Sequence, residues 1–130
     1  MCFTKSTQNT HKKSDVDVDC YKLMYLGFYT RKLKSVFYPE EAYSAGDNMI
    51  PSVEISDEII DMSSEVNGGV IHSYKSLGIA RDARRGYMTR FQIGNITIVR
   101  CTIPAGTSYW YNNKGECISK ELVIKEILDR

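Results

Sequence analysis

No run of about eighteen apolar residues, the length a membrane-crossing helix needs, occurs anywhere in the chain. The opening residues, MCFTKSTQNTHKK, lack the apolar stretch of a signal peptide, so the expectation is a cytosolic protein with no membrane partner. The four cysteines, Cys2, Cys20, Cys101 and Cys117, include no C-x-x-C and no Cys/His pair at zinc-finger spacing. They read as free thiols, although Cys101 and Cys117 lie in or beside expected strands and could meet in space. Histidine is scarce as well: only His11 and His72 are available. A metal site therefore has too few placed ligands, and neither metal nor cofactor is expected. Bulk charge is also missing, since a net charge of +1 offers no general attraction to nucleic acid. The one Gly-Gly turn, NGGV, leads into a strand rather than a helix N-terminus, which excludes a phosphate loop.

What is present fits one fold class. A chain of 130 residues that is 42% hydrophobic makes one compact domain around one core. Residues 1–15 are polar and unperiodic and read as a flexible tail, with the domain occupying 16–130. From Val16 the pattern alternates: Val16, Val18, Cys20, Met24, Leu26 and Phe28 share one side of a strand, and Lys22 is the misfit on that side. A short strand near 36–38 and a short helix opened by Pro39, Glu40 and Glu41 and ended by Gly46 follow. Residues 49–69 read as a long connection with one helical turn near Ser56 to Met62.

In the second half, GGVIHSYKS reads as a short strand, and Ser76 caps a brief helix, LGIARDARR, that Gly86 ends. YMTRFQI and ITIVRCTIP then make two strands joined by a tight turn at Gly94-Asn95. Pro104 and Gly106 break the run, TSYWY resumes it, NNKG turns, and a last strand runs around Leu122 to Ile127. The fold class is α+β: a mainly antiparallel sheet with one or two short helices in a single domain.

Charge is unevenly placed. Glu54, Asp57, Glu58, Asp61 and Glu65 form an acidic segment, while Lys75, Arg81, Arg84, Arg85 and Arg90 meet only Asp82. The two segments could pair with each other, or the arginines could bind an anion. Alternation places His72 with Val70 and Tyr74 on one face, either as a hydrogen-bonded structural group or as a working one. Tyr109, Trp110 and Tyr111 must place one face in the core, and the other would expose either Trp110 or its neighbours, suited to an interface or to base stacking. Arg81, Arg84, Arg85, Tyr74 and Trp110 are accordingly the candidate ligand-binding residues.

Two resemblances follow from these motifs. Tyr21-Lys22, the Tyr43/Gly46 pair, GGVIHSYKSLGIA and IPAGTSYWYNNKGECISKELVI together resemble a family of small uncharacterised bacteriophage and prophage proteins over about residues 20–128. That resemblance implies a setting, the host-cell cytoplasm or the virion, and no reaction. IHSYKSLGIA, CTIPAGT and Glu116 or Glu121 are also similar, distantly, to the order of elements in ADP-ribosyltransferases, with Arg31 as the substitute for their early arginine. That likeness implies a carboxylate stabilising a cationic sugar. The sequence departs from it in having no S-T-S triplet and no E-x-E or Q-x-E pair.

Other catalytic sets lack parts. His72 and Ser73 are adjacent, so on a strand they point to opposite sides and cannot form a nucleophile–base pair. A Cys–His site would need Cys101 or Cys117 across the sheet from His72. The expectation is therefore a small phage-type accessory protein that binds a protein partner or its own copies. Capture of a nucleotide-like ligand by the arginine patch is the alternative, and His72 and Glu116 are the only catalytic candidates of a third, enzymatic reading.

Overall fold

A computed structural model describes residues 3–4, 10–27, 32–36, 42–51, 56–62, 65–66, 70–90 and 96–129. In chain order the elements are β1 (Phe3–Thr4), β2 (Thr10–Lys13), β3 (Val18–Leu26), β4 (Leu33–Ser35), β5 (Asn48–Met49), α1 (Asp57–Met62), β6 (Glu65–Val66), β7 (Ile71–Tyr74), α2 (Leu77–Arg90), β8 (Ile96–Ile103), β9 (Ser108–Tyr111), β10 (Glu116–Ser119) and β11 (Leu122–Asp129). The main sheet runs β2-β9-β10-β7-β3-β8-β11-β5, with β4 beside β3, while β1 and β6 pair separately. Every strand pairing is antiparallel, as expected from the alternating pattern. Among the described residues no helix is long and apolar enough to cross a membrane.

The sheet must curl strongly. Strands β2 and β3 follow each other in the chain across residues 14–17, yet three strands lie between them in the sheet. In a flat sheet they would be about 19 Å apart, whereas the five chain steps from Lys13 to Val18 reach at most about 17 Å. The same holds for β8 and β9. The register explains how this works: Lys13 faces Ser108, and five residues further along each strand Val18 faces Ile103. β2–β9 and β3–β8 are thus two halves of one antiparallel ribbon, folded over at a corner. Gly106 donates its backbone N–H to the Ser14 carbonyl at 2.8 Å, and Ala105 donates to Asp17 Oδ1 at 2.9 Å. Gly106 has φ of 83°, a left-handed conformation that costs glycine nothing.

Within the stretch 1–15 read as a tail, residues 10–13 are instead a strand of the main sheet. Thr10–Lys13 lack apolar alternation because β2 is a sheet edge, held by its ladder to β9. Residues 1–2 and 5–9, and with them Cys2, lie outside the described residues.

The two faces of the sheet are buried by different means. The concave face carries Cys20, Met24, Ile71, Val99, Cys101, Ile103, Tyr109 and Ile124 in one cluster that spans both halves of the ribbon. Small groups suit the inside of a tight curl, and Cys20, Ser73, Cys101, Cys117 and Ser119 are all buried. On the convex face α2 covers Leu23, Tyr74, Ile96 and Ile98, while α1 contributes Ile60 to a second group with Val70, Trp110 and Ile118. Being covered on both sides explains why β8 carries apolar residues on both of its faces and is buried along nearly its whole length.

Helix α2 does not stop at Gly86, and YMTR is helix rather than strand. Leu77, Ala80, Ala83 and Tyr87 continue one apolar stripe past the glycine. Gly86 also lacks the positive φ a helix-ending glycine adopts, which belongs to Gly46, Gly106 and Gly115. The expected Gly94-Asn95 turn and the strand over 91–93 lie outside the described residues, as do residues 39–41 of the helix expected from Pro39 to Gly46; its described part is not helix, because Tyr43 exchanges backbone hydrogen bonds with Leu33 in an antiparallel bridge, and β4 precedes the position expected for a strand at 36–38. The helical turn expected over 56–62 is α1. Among the described residues the two terminal strands of the sheet are both poor templates for self-association: β2 is four residues long and carries two lysines, and β5 is only two residues long.

Candidate binding edge

The candidate site residues named from the sequence do not converge. Tyr74 is 5% exposed and sits beneath α2, where burial pushes its hydroxyl pKa well above the usual tyrosine value. Trp110 is 3% exposed and belongs to the other convex cluster, so it is core and not a recognition surface. Arg81 and Arg85 are exposed on the outer side of α2 and Arg84 is partly buried. The body of the helix separates the exposed arginines from Tyr74. Arg85 Nη1 lies 3.7 Å from Asp82 Oδ1 on the same helix, a solvent-exposed pair of little energetic weight. The expected pairing of the acidic segment with these arginines fails for Asp57, which turns instead to Ser108 and Lys120.

His72 shares the convex face with Val70 and Tyr74, as alternation requires. Its strand partner is Ile118, whereas Cys117 pairs with Ser73 and points to the concave side. Cys101 is on the concave side too, directly opposite Cys20. Neither thiol can therefore reach the His72 ring across the sheet. Burial pushes Cys101 up to about 12 and Cys117 up to about 11, so both remain protonated and poor nucleophiles near neutrality. No disulfide joins Cys20, Cys101 or Cys117.

The backbone of His72 has a clear structural role. β7 meets β3 at a single pair, Tyr21 with Tyr74, and the two strands part beyond it. Into that gap reaches Lys22, 7% exposed, whose Nζ donates to the His72 carbonyl at 2.7 Å. The misfit lysine of the first strand thus completes a broken ladder. Burial lowers its pKa from 10.5 to about 8, against the opposing pull of Cys101 and Cys20.

Glu116 is held within the turn that follows β9. Asn112 Nδ2 donates to Glu116 Oε1 at 2.9 Å, while Asn112 Oδ1 accepts from the backbone N–H groups of Lys114 and Glu116. Gly115, at φ 77°, closes this turn. Glu121 accepts from Asn48 Nδ2. Arg31 lies outside the described residues. Among the described residues no cluster of His, Cys, Asp and Glu could hold a metal ion.

The densest arrangement of polar and aromatic groups lies instead where β2 meets β9. On the convex side His11 stacks on Trp110 with ring centroids 4.3 Å apart, and its Nε2 is 3.9 Å from Asp57 Oδ2. Asp57 also accepts from Ser108 Oγ at 2.9 Å and faces Lys120 Nζ at 3.4 Å. Partial burial pushes the Asp57 carboxyl up, but Ser108, Lys120 and His11 together hold it below the usual aspartate value. The aspartate bridges the serine and histidine, so this is not a hydrolase triad, in which histidine occupies the middle place. Its effect is to fasten β2 and α1 to the sheet.

On the concave side of the same edge, Lys12 Nζ is 5.8 Å and Lys75 Nζ 5.0 Å from the centre of the Tyr111 ring, which stacks with Tyr109 at 6.2 Å. Lys12, Lys13 and Lys75 are exposed, and none has a carboxylate partner among the described residues. Sequence reasoning missed this edge because Lys12 and Lys75 are 63 positions apart. The only local signal was the polar THKK stretch. The chain matches no protein-family model, no curated protein and no solved structure.

Proposed function

We propose that the chain is a non-enzymatic binding module, a small accessory protein of the phage type, that docks on virion or host proteins through the β2–β9 edge. The observation that carries this reading is the pair of exposed lysines Lys12 and Lys75 gathered over Tyr111, with the exposed Lys13 on the other face of the same strand, none of them with an acidic partner among the described residues. In a chain with 17 basic and 16 acidic side chains, such a local surplus is a surface held ready for an opposite charge. The protonated thiols and the tethered Glu116 support a binding role over covalent chemistry.

The test compares partners retained from expressing cells by the immobilised wild-type chain and by a Lys12→Glu/Lys75→Glu variant. Proteins kept by the first and lost by the second support docking at this edge. Retention that depends on Arg81 and Arg85 would move the binding site to α2 and favour capture of a nucleotide-like ligand. Cleavage or transfer from labelled NAD that disappears in Glu116→Gln would overturn the non-enzymatic reading and restore the transferase one.

A further inference from the structure

We infer that the partner presents an extended acidic segment, which adds as a strand to the outer edge of β2. This inference rests on the binding-module reading above and specifies its partner. Among the described residues β2 is the terminal strand of the main sheet, paired on one side with β9. Its other edge offers backbone N–H and C=O groups to an added strand.

The side chains select which strand can come. Lys12 faces the concave side, in register with Tyr109, and Lys13 faces the convex side, in register with Ser108. An added strand would therefore meet one ammonium group on each of its own faces. Cross-strand neighbours sit about 5 Å apart, so glutamate or aspartate opposite either lysine is favoured and a basic residue is repelled. Lys75 stands farther in, over Tyr111 of β9, and adds to the positive potential of this edge. The same lysines discourage a second copy from pairing β2 to β2, because the two edges would bring like charges together. A single device thus blunts the edge against self-association and opens it to acidic chains. Nucleic acid would satisfy the lysines but leave the backbone edge of β2 unused, and so is disfavoured against a peptide.

The probe is a fluorescent peptide of alternating glutamate and valine, titrated against the purified full chain and followed by anisotropy. A second peptide of the same sequence, N-methylated on alternate residues, retains the charge but cannot pair through its backbone. Single-stranded oligothymidylate serves as a third probe. The expected result is saturable binding of the first peptide. Lys12→Glu and Lys13→Glu, each verified as folded by far-ultraviolet circular dichroism, should each weaken it roughly tenfold, equivalent to about 1.4 kcal/mol. Lys34→Glu, on the exposed side of β4, should leave it unchanged. The N-methylated peptide should bind at least roughly tenfold more weakly than its parent. Equal binding of the two peptides would overturn strand addition and leave only charge attraction. Tighter binding of the oligonucleotide, or no binding of any probe, would overturn the acidic-strand inference. Partner retention dependent on Lys12 and Lys75 would then still stand, so this failure is separable from failure of the docking reading.

Discussion

Replacing Lys22 with methionine tests the mechanism by which the first strand tolerates a buried ammonium. A pKa lowered from 10.5 to about 8 means that the folded state disfavours the charged form. That difference is worth about 3 kcal/mol, at about 1.4 kcal/mol per pH unit. Below pH 8 both folded and unfolded chains carry the proton, and the whole penalty is present. Between about pH 8 and 10.5 the unfolded chain keeps a proton that the folded chain has released, so stability rises with pH over that window. The thiols act in the opposite sense. Cys101 and Cys117 titrate near 9 when unfolded but at about 12 and 11 when folded, so above pH 9 they lower stability. The wild-type profile should therefore rise from pH 8 to 9 and then fall. In Lys22→Met the penalty is gone, but the His72 carbonyl loses its donor, a cost of about 1–3 kcal/mol. At pH 7 the variant should therefore equal wild type or exceed it by up to about 2 kcal/mol. As pH rises to 10.5 the variant should become less stable relative to wild type by about 3 kcal/mol, since the neutral amine still donates to the carbonyl. Urea unfolding of both proteins at half-unit pH steps measures the difference directly, with the window below pH 9, where the thiols stay protonated in both states, giving the cleanest reading. A difference that stays flat from pH 7 to 10.5 would refute the account of Lys22.

Glycine substitutions should divide by backbone conformation. Gly115→Ala places a β-carbon at φ 77° and against Ile79 Cδ1, and should cost about 1–2 kcal/mol or more in thermal unfolding. Gly86→Ala has open space and helical backbone, and should stabilise by about 0.5–1 kcal/mol; a loss there would restore Gly86 as a helix stop. Trp110→Ala should destabilise by about 3–5 kcal/mol and speed hydrogen exchange at residues 10–13, because His11 loses the ring it stacks on. Asp57→Asn should flatten the loss of stability on acidification. The folded pKa lies below its ordinary value, so the aspartate's contribution is present above that ordinary value and disappears as pH falls through the folded one. With its side chain 41% exposed, the effect should stay under about 1 kcal/mol. Cys20, Cys101 and Cys117 should react with a disulfide reagent only as fast as the sheet opens, and become fully reactive in denaturant.

Alternation was enough to find the strands whose two faces differ in burial or whose ends carry turn residues, such as β7 and β9. It also placed His72 with Val70 and Tyr74, because successive side chains on any strand alternate sides. It was less informative where both faces are covered, as in β8, and it misled at Gly86, where a single permissive residue was read as a stop although the apolar stripe continued beyond it. The aromatic run 109–111 shows the limit most directly. Local pattern requires one of its faces to be core, but α1 and the curl of the sheet bury Tyr109 and Trp110 alike.

Taken alone, the sequence determined a mainly antiparallel sheet with short helices, which residues of β3, β7 and β8 share a face, and that it carries no metal-binding or phosphate-binding motif. These follow from periodicity and residue type within windows of a few positions. Only the tertiary structure decided that residues 10–13 are the far arm of a bent ribbon, that Lys22 fills a gap between β7 and β3, and that Lys12 and Lys75 flank one tyrosine. Each of those facts joins segments distant in the chain through the fold at residues 14–17 and 104–107. The energy that holds them together comes from contacts no local window contains.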